Sequence, residues 1–275
     1  MILRAFIDGE EAASIGLEER GLHYGDGLFE TMRVRDGDLP LWPLHAERLC
    51  EGCERLRLPP PDLGRVEGWL VRLAAGVADG VVKLIYTRAG GGRGYAPPVP
   101  PRGRVFLLLY EAPATPPGWA RDGMRVRFCD TVLARQPHLA GIKHLNRLEQ
   151  VLARGEWTDP AIGEGLVCDT GGCVISATAA NLFIVRGSGL ATPALEHCGV
   201  KGVMRRIIME HCVQAGIPLQ EGPLTPADVT AAGGAFLCNS VRGAWPVCEV
   251  DGRPLPVPAL VHELVDVARR RLRLA

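Results

Sequence analysis

Lysine is nearly absent from this 275-residue chain: Lys83, Lys143 and Lys201 are the only lysines among 31 basic residues. A guanidinium stays charged and cannot condense with a carbonyl, whereas a desolvated amine can, so each retained lysine marks a place where an amine could be needed. A base composition that favours arginine codons accounts for the same count, so the scarcity nominates positions and assigns none. Net charge is absent as well, with Lys plus Arg equal to Asp plus Glu at 31 each. No basic field is therefore available to hold nucleic acid or an anionic membrane by charge alone. Long apolar runs are missing, and stretches such as 105–110 fall far short of the roughly 20 residues that span a bilayer. The opening residues, Met1-Ile2-Leu3-Arg4-Ala5-Phe6-Ile7-Asp8, carry no signal-peptide pattern. The expectation is a cytoplasmic protein that binds neither membrane nor nucleic acid.

A disulfide framework is lacking too: the nine cysteines are odd in number and scattered among apolar segments, as reduced core residues are. Cys50 and Cys53 form a single Cys-x-x-Cys, with His45 nearby. Redox or zinc chemistry is conceivable there, but no second ligand pair accompanies it and the segment reads as an amphipathic helix, so no metal is expected.

What is present is a hydrophobic fraction of 47% over 275 residues, enough for one large core or two ordinary ones. Short β-branched and aromatic runs at 5–7, 28–34, 81–87 and 105–110 predict strands. Residues 43–57 and 62–79 place leucines and valines at helical spacing between charges. The first half is therefore α+β. Residues 112–118, Ala-Pro-Ala-Thr-Pro-Pro-Gly, form a stiff proline-rich connection, which sets the expected domains at 1–114 and 115–275. In the second half the pattern predicts strands at 124–129, 165–168, 174–176, 181–185, 235–238 and 245–250. Helices are expected at 143–157, after Gly202, and at 257–274, the last ending in arginines as the helix dipole favours.

Three loops could carry chemistry. His23-Tyr24-Gly25-Asp26-Gly27-Leu28-Phe29-Glu30-Thr31 sets small residues before a strand, and Arg88-Ala89-Gly90-Gly91-Gly92-Arg93-Gly94-Tyr95 is glycine-rich with two arginines and a tyrosine. Both could be ordinary turns; glycine permits close backbone approach to a ligand, and arginine grips carboxylates in two-pronged fashion. Gly199-Val200-Lys201-Gly202-Val203-Met204-Arg205 enters a helix, where unpaired amides and the dipole favour a phosphate, as at any such junction. That junction shares one half of the chain with Lys143 and with Asn239-Ser240 after a strand. Together these are the parts needed for an aldehyde cofactor bearing a phosphate, and pyridoxal phosphate is that cofactor.

The loop 23–31, the Gly-Gly-Arg-Gly-Tyr stretch, Pro137-His138-Leu139-Ala140-Gly141-Ile142-Lys143-His144-Leu145-Asn146-Arg147-Leu148-Glu149-Gln150, Ala180-Asn181-Leu182-Phe183 and Asn239-Ser240 resemble the class IV pyridoxal phosphate enzymes. The resemblance runs in order along essentially the whole chain, and around Lys143 it is that of the lyase branch. It implies a two-domain α+β fold of type IV, like D-amino acid aminotransferase, a homodimer, and an active site in the cleft between domains. It further implies conversion of the small molecule 4-amino-4-deoxychorismate to 4-aminobenzoate and pyruvate. By the same resemblance Lys143 matches the imine-forming lysine and Arg48 the arginine on the cofactor phosphate; read from its helix alone, Arg48 would be a solvated surface residue. Val203 and Met204 match the helix-start amides at the phosphate, Ser240 a hydroxyl donor, and Thr31, Arg93, Tyr95 and Asn239 residues near the substrate.

One position departs from that pattern. Where the family places a glutamate against the pyridine nitrogen, this chain has Ser176, in Ile175-Ser176-Ala177-Thr178-Ala179-Ala180-Asn181. A carboxylate keeps that nitrogen protonated, while a hydroxyl can only hydrogen-bond to it. Transamination, which leans hardest on the ring as electron sink, should suffer more than an elimination that yields an aromatic product. An aminotransferase for D-amino or branched-chain amino acids, or a non-catalytic relative, are the alternatives.

Overall fold

The computed structural model describes residues 1–91, 94–116 and 118–274. The chain divides into two compact units, one made of Met1–Ala114 with Ile142–Asn146, the other of Thr115–Gly141 with Arg147–Ala275.

The first unit holds β1 (Ile2–Ile7), β2 (Glu10–Glu11), α1 (Arg20–Tyr24), β3 (Gly27–Arg35), α2 (Trp42–Leu56), α3 (Leu63–Ala74), β4 (Asp79–Thr87) and β5 (Arg104–Glu111). Its strands form an antiparallel sheet in the order β2-β1-β5-β4-β3. Along β3 the side chains of Leu28, Glu30, Met32 and Val34 are buried, one face of the period-two pleat. Onto β3 packs α2, whose buried stripe is His45, Ala46, Leu49, Gly52 and Cys53. Gly52 permits the close approach: a Cβ there would lie 2.7 Å from Leu28 Cδ1. The helix α3 starts on Asp62, whose side chain accepts from Arg65 N, and turns Val66, Leu70 and Leu73 inward. It ends at Ala74, shorter than the pattern over 62–79 predicts, because Asp79 already opens β4.

The second unit holds α4 (Trp119–Asp122), β6 (Met124–Phe128), α5 (Leu148–Arg154), β7 (Ile162–Cys168), β8 (Val174–Ala177), β9 (Asn181–Arg186), β10 (Gly189–Pro193), α6 (Val203–Ala215), β11 (Leu219–Gly222), α7 (Pro226–Thr230), β12 (Ala235–Asn239), β13 (Gly243–Val250), β14 (Arg253–Pro254) and α8 (Ala259–Arg271). Its sheet runs β11-β10-β9-β12-β13-β6-β7-β8, with β14 against β13. Strand β6 is parallel to both neighbours, β13 and β7. The core joins Leu166, Val174, Leu182, Ile184, Leu237 and Trp245, each large apolar side chain contributing about 1.5–3 kcal/mol by burial. Helices α6 and α8 pack on β12, α8 also on β13, and on each other.

Residues 143–157 do not form the single helix their spacing predicts. Helix begins only at Leu148, and the stretch before it is extended. Strand β3 ends its sheet, so the backbone groups on its outer edge need partners. Residues 142–146 supply them: Phe29 N donates to Lys143 O at 2.9 Å, Leu145 N donates to Gly27 O at 3.0 Å, and Leu28 bridges His144. This pairing is why the lysine segment clusters with the first unit although the chain around it belongs to the second. Among the described residues no helix is long and apolar enough to cross a membrane.

Candidate active site

In the first unit the geometry centres on Phe29. Lys143 Nζ lies 4.1 Å from its ring centroid and Lys83 Nζ 5.2 Å, within cation–π range. Phe29 and Thr31 share the face of β3 opposite Glu30, and Thr31 pairs directly across to Lys83. Two of the three lysines thus meet one aromatic ring, and burial lowers the pKa of Lys83 from the ordinary lysine value. Lys143 reaches this place through the edge pairing with β3 and not through a helix.

On the buried face of β3, Glu30 is 1% exposed. Arg48 grips it with two nitrogens, Nε donating to Oε1 at 2.9 Å and Nη2 to Oε2. His45 Nδ1 meets the same Oε2 at 2.5 Å. Burial alone would push the Glu30 carboxyl up, but the charges and hydrogen bonds of Arg48 and His45 outweigh it and hold it at about 2. Burial depresses the His45 imidazole against the pull of Glu30, with the charges of Arg48 and Lys143 adding to the depression. The Arg48 side chain is 9% exposed, so it is not the solvated arginine its helix position by itself predicts.

The glycine-rich loop is tied down by an arginine that sequence reading passed over. Arg20 donates to the carbonyls of Gly94, Tyr95 and Ala96 at 3.1–3.4 Å, pairs with Asp26 at 2.8 Å and lies 4.8 Å over the Tyr24 ring. Tyr95 itself is 86% exposed, its ring edge-on to Tyr24. Arg93 lies outside the described residues.

In the second unit, Val203 and Met204 open α6 after Gly202, which offers no side-chain cap; their amides belong to the unsatisfied first turn of a helix. The loop before them is pinned by Asn181, which donates to Val200 O at 2.9 Å. A Cβ at Gly202 would sit 2.0 Å from Asn181 Oδ1, so only glycine lets the loop close on β9. Gly141, two residues before Lys143 in the chain, accepts from Lys201 N and donates to Gly199 O. Ile175 touches the same loop, since a Cβ on Gly199 would be 2.7 Å from its Cγ2, and Ser176 follows it on β8, paired with Val167. Asn239 ties two loops together, Nδ2 donating to Ala179 O and Oδ1 accepting from Val241 N and Arg242 N. Ser240 follows at the end of β12.

The pattern of the class IV aminotransferase family matches residues 27–250. This chain belongs to that family. Family members depend on pyridoxal phosphate, and the chain has their type IV fold. The class IV chain is 34% identical to an aminodeoxychorismate lyase of Vibrio harveyi over 242 residues, covering 88% of this chain and 89% of that one. It superposes on the crystal structure of 4-amino-4-deoxychorismate lyase from Pseudomonas aeruginosa with a TM-score of 0.93 at 44% identity, covering 97% and 98% of the two chains. A putative branched-chain-amino-acid aminotransferase of Methanocaldococcus jannaschii is 30% identical over 256 residues, 90% and 86% of the two chains.

The residues fit the family's cofactor. An arginine is oriented on a buried carboxylate, a glycine-entered helix offers first-turn amides to a phosphate, and a lysine amine stands beside an aromatic ring. Burial raises the thiols of Cys50 and Cys53, that of Cys53 to about 12, and among the described residues no group of three or more His, Cys, Asp and Glu is placed to hold a metal ion.

Proposed function

We propose that this chain is a pyridoxal phosphate-dependent lyase that converts 4-amino-4-deoxychorismate to 4-aminobenzoate and pyruvate, a step that supplies folate synthesis. The observation that carries the reading is the likeness over nearly the full chain to two lyases with that substrate in their names, joined to a lysine amine held beside Phe29. Lys143, Arg48, Val203, Met204, Ser176 and Ser240 are assigned to one cofactor, with Arg48, the α6 amides and the Ser240 hydroxyl on its phosphate and Ser176 at its ring nitrogen.

When bound, that cofactor supplies an aldehyde for the substrate amine and a ring that takes up an electron pair. Lys143 Nζ then takes the proton from the ring carbon that carries the substrate nitrogen. The C–O bond to the enolpyruvyl group breaks, the six-membered ring becomes aromatic, and the released enol takes a proton to become pyruvate. Atoms balance without water. Thr31 shares the Lys143 face of β3 and is assigned to the substrate. Arg93, Tyr95 and Asn239 are assigned to it as well, with Lys83 as a further cation for its two carboxylates.

The reading is tested by giving cofactor-loaded protein enzymatically generated 4-amino-4-deoxychorismate and following 4-aminobenzoate by chromatography, with Lys143→Ala as control. Product that vanishes in the control is the expected outcome. Cofactor bound without product would overturn the lyase and favour an aminotransferase, the activity named for the Methanocaldococcus relative. We also propose a homodimer: Leu148, Val151 and Leu152 are 77%, 64% and 64% exposed at helical spacing on α5, an apolar face suited to a second copy.

A further inference from the structure

The buried group of Glu30, His45 and Arg48 is built at a cost that packing alone does not explain. Three ionisable side chains meet in the interior between β3 and α2, where apolar residues of similar volume would hold the same contact with no desolvation penalty. Glu30 engages Arg48 through Nε and Nη2 together. A two-pronged contact of this kind fixes the guanidinium plane as well as its place, and turns Nη1 away from the carboxylate. Glu30 is held in turn by His45 Nδ1. The imidazole is fully buried, and its other nitrogen, Nε2, has no hydrogen-bond partner among the described residues. A buried polar ring that makes one bond and forgoes the other is a poor stabiliser, so the bond it does make is the reason for its presence. The order of support runs from His45 to Glu30 to Arg48.

We propose that Glu30 and His45 are positioning residues for the cofactor phosphate: Glu30 sets the plane in which Arg48 meets the phosphate, and His45 fixes the carboxylate that does so. This rests on the assignment of Arg48 to the phosphate under the proposed function. Neither residue touches the reacting atoms. Their effect should therefore fall on phosphate recognition and leave the aldehyde ring's own affinity alone.

The decisive quantity is the preference for pyridoxal phosphate over pyridoxal, which lacks the phosphate, taken as the ratio of their dissociation constants from quenching of intrinsic tryptophan fluorescence. Glu30→Gln keeps the shape and removes the charge. It should lower the ratio about 10-fold, as loss of a charge-assisted hydrogen bond to a binding group does, while pyridoxal binds within about twofold of the native value. His45→Leu should lower the ratio too, and His45→Asn, which keeps an N–H near the Nδ1 position, should restore most of it. In an Arg48→Ala background Glu30→Gln should add nothing. If Glu30→Gln does not fold, the two His45 variants decide alone. Equal weakening of both ligands would mean a merely structural group and would overturn the proposal. An Arg48→Ala protein that keeps the native ratio would overturn the phosphate assignment, and this proposal with it. A ratio that falls in Arg48→Ala but not in Glu30→Gln or His45→Leu would overturn this proposal alone.

Discussion

At the residue scale, the proposed lyase turns on what position 176 offers the cofactor ring. A serine hydroxyl there donates or accepts one hydrogen bond but cannot hold a neighbouring pyridine nitrogen in its protonated form, as a carboxylate can. Ser176 stands on β8 with Val167 opposite, in a half-buried position. Glu at 176 should therefore raise transamination relative to elimination. The check is a paired assay on Ser176→Glu, with pyruvate formed from D-alanine in the presence of 2-oxoglutarate as amino acceptor measured beside 4-aminobenzoate formed from 4-amino-4-deoxychorismate. An unchanged quotient would sink the idea that serine disfavours the transaminase.

At the scale of elements, the first half of β7 carries an internal cost that pH reveals. Glu164 is buried there and accepts from Thr178 Oγ1 at 2.6 Å and from Gly165 N at 3.3 Å. Burial raises its carboxyl above the ordinary 4.5, outweighing the hydrogen bonds that oppose it. A raised folded pKa gives stability that is full below the unfolded value and is lost as pH climbs through the folded one. Glu164→Gln keeps the carbonyl acceptor and cannot ionise. Its melting temperature relative to the native protein should climb as pH rises above 4.5 and level off once pH passes the raised folded pKa of Glu164. A difference that stays flat or shrinks above pH 4.5 would show that the carboxyl ionises in the folded chain as readily as in the unfolded one and is better solvated than its burial implies. Gly202 works at the same scale, for its missing side chain is what brings the start of α6 against Asn181.

At the scale of the whole molecule, the chain leaves the first compact unit after Ala114 and returns to it for Ile142–Asn146. That return completes β3. A fragment of residues 1–114 would keep the five-stranded sheet but lose the acceptor of the Phe29 amide, which is Lys143 O. Hydrogen exchange at Phe29 N–H should be slow in the full chain and markedly faster in the fragment, with the β4–β5 ladder much less affected. Equal protection of Phe29 in both would mean that β3 does not rely on the lysine segment. The exposed edge should also make the fragment prone to self-association.

How much was legible beforehand follows local physics. Strands β4, β5 and β9 and helices α2, α6 and α8 were visible because pleat and helical periodicity are properties of neighbouring residues. The lysine segment misled because residues 143–157 carry helical spacing, while the open edge of a strand more than 110 residues earlier claims the first of them; such pairing has no local signature. Strand β10 was missed for a related reason: Gly189–Pro193 is buried along its whole length and shows no alternation. At the site, the sequence alone determined the family and nominated a scarce lysine and a glycine-entered helix for its cofactor, since amine reactivity and helix-end amides come with residue type. Only the tertiary structure decided that Arg48 turns inward onto Glu30 and His45, that Lys83 joins Lys143 at Phe29, and that Arg20 fastens the glycine-rich loop. Those pairings join residues distant in the chain, and the free energy that selects them exists only once burial has removed the water around them.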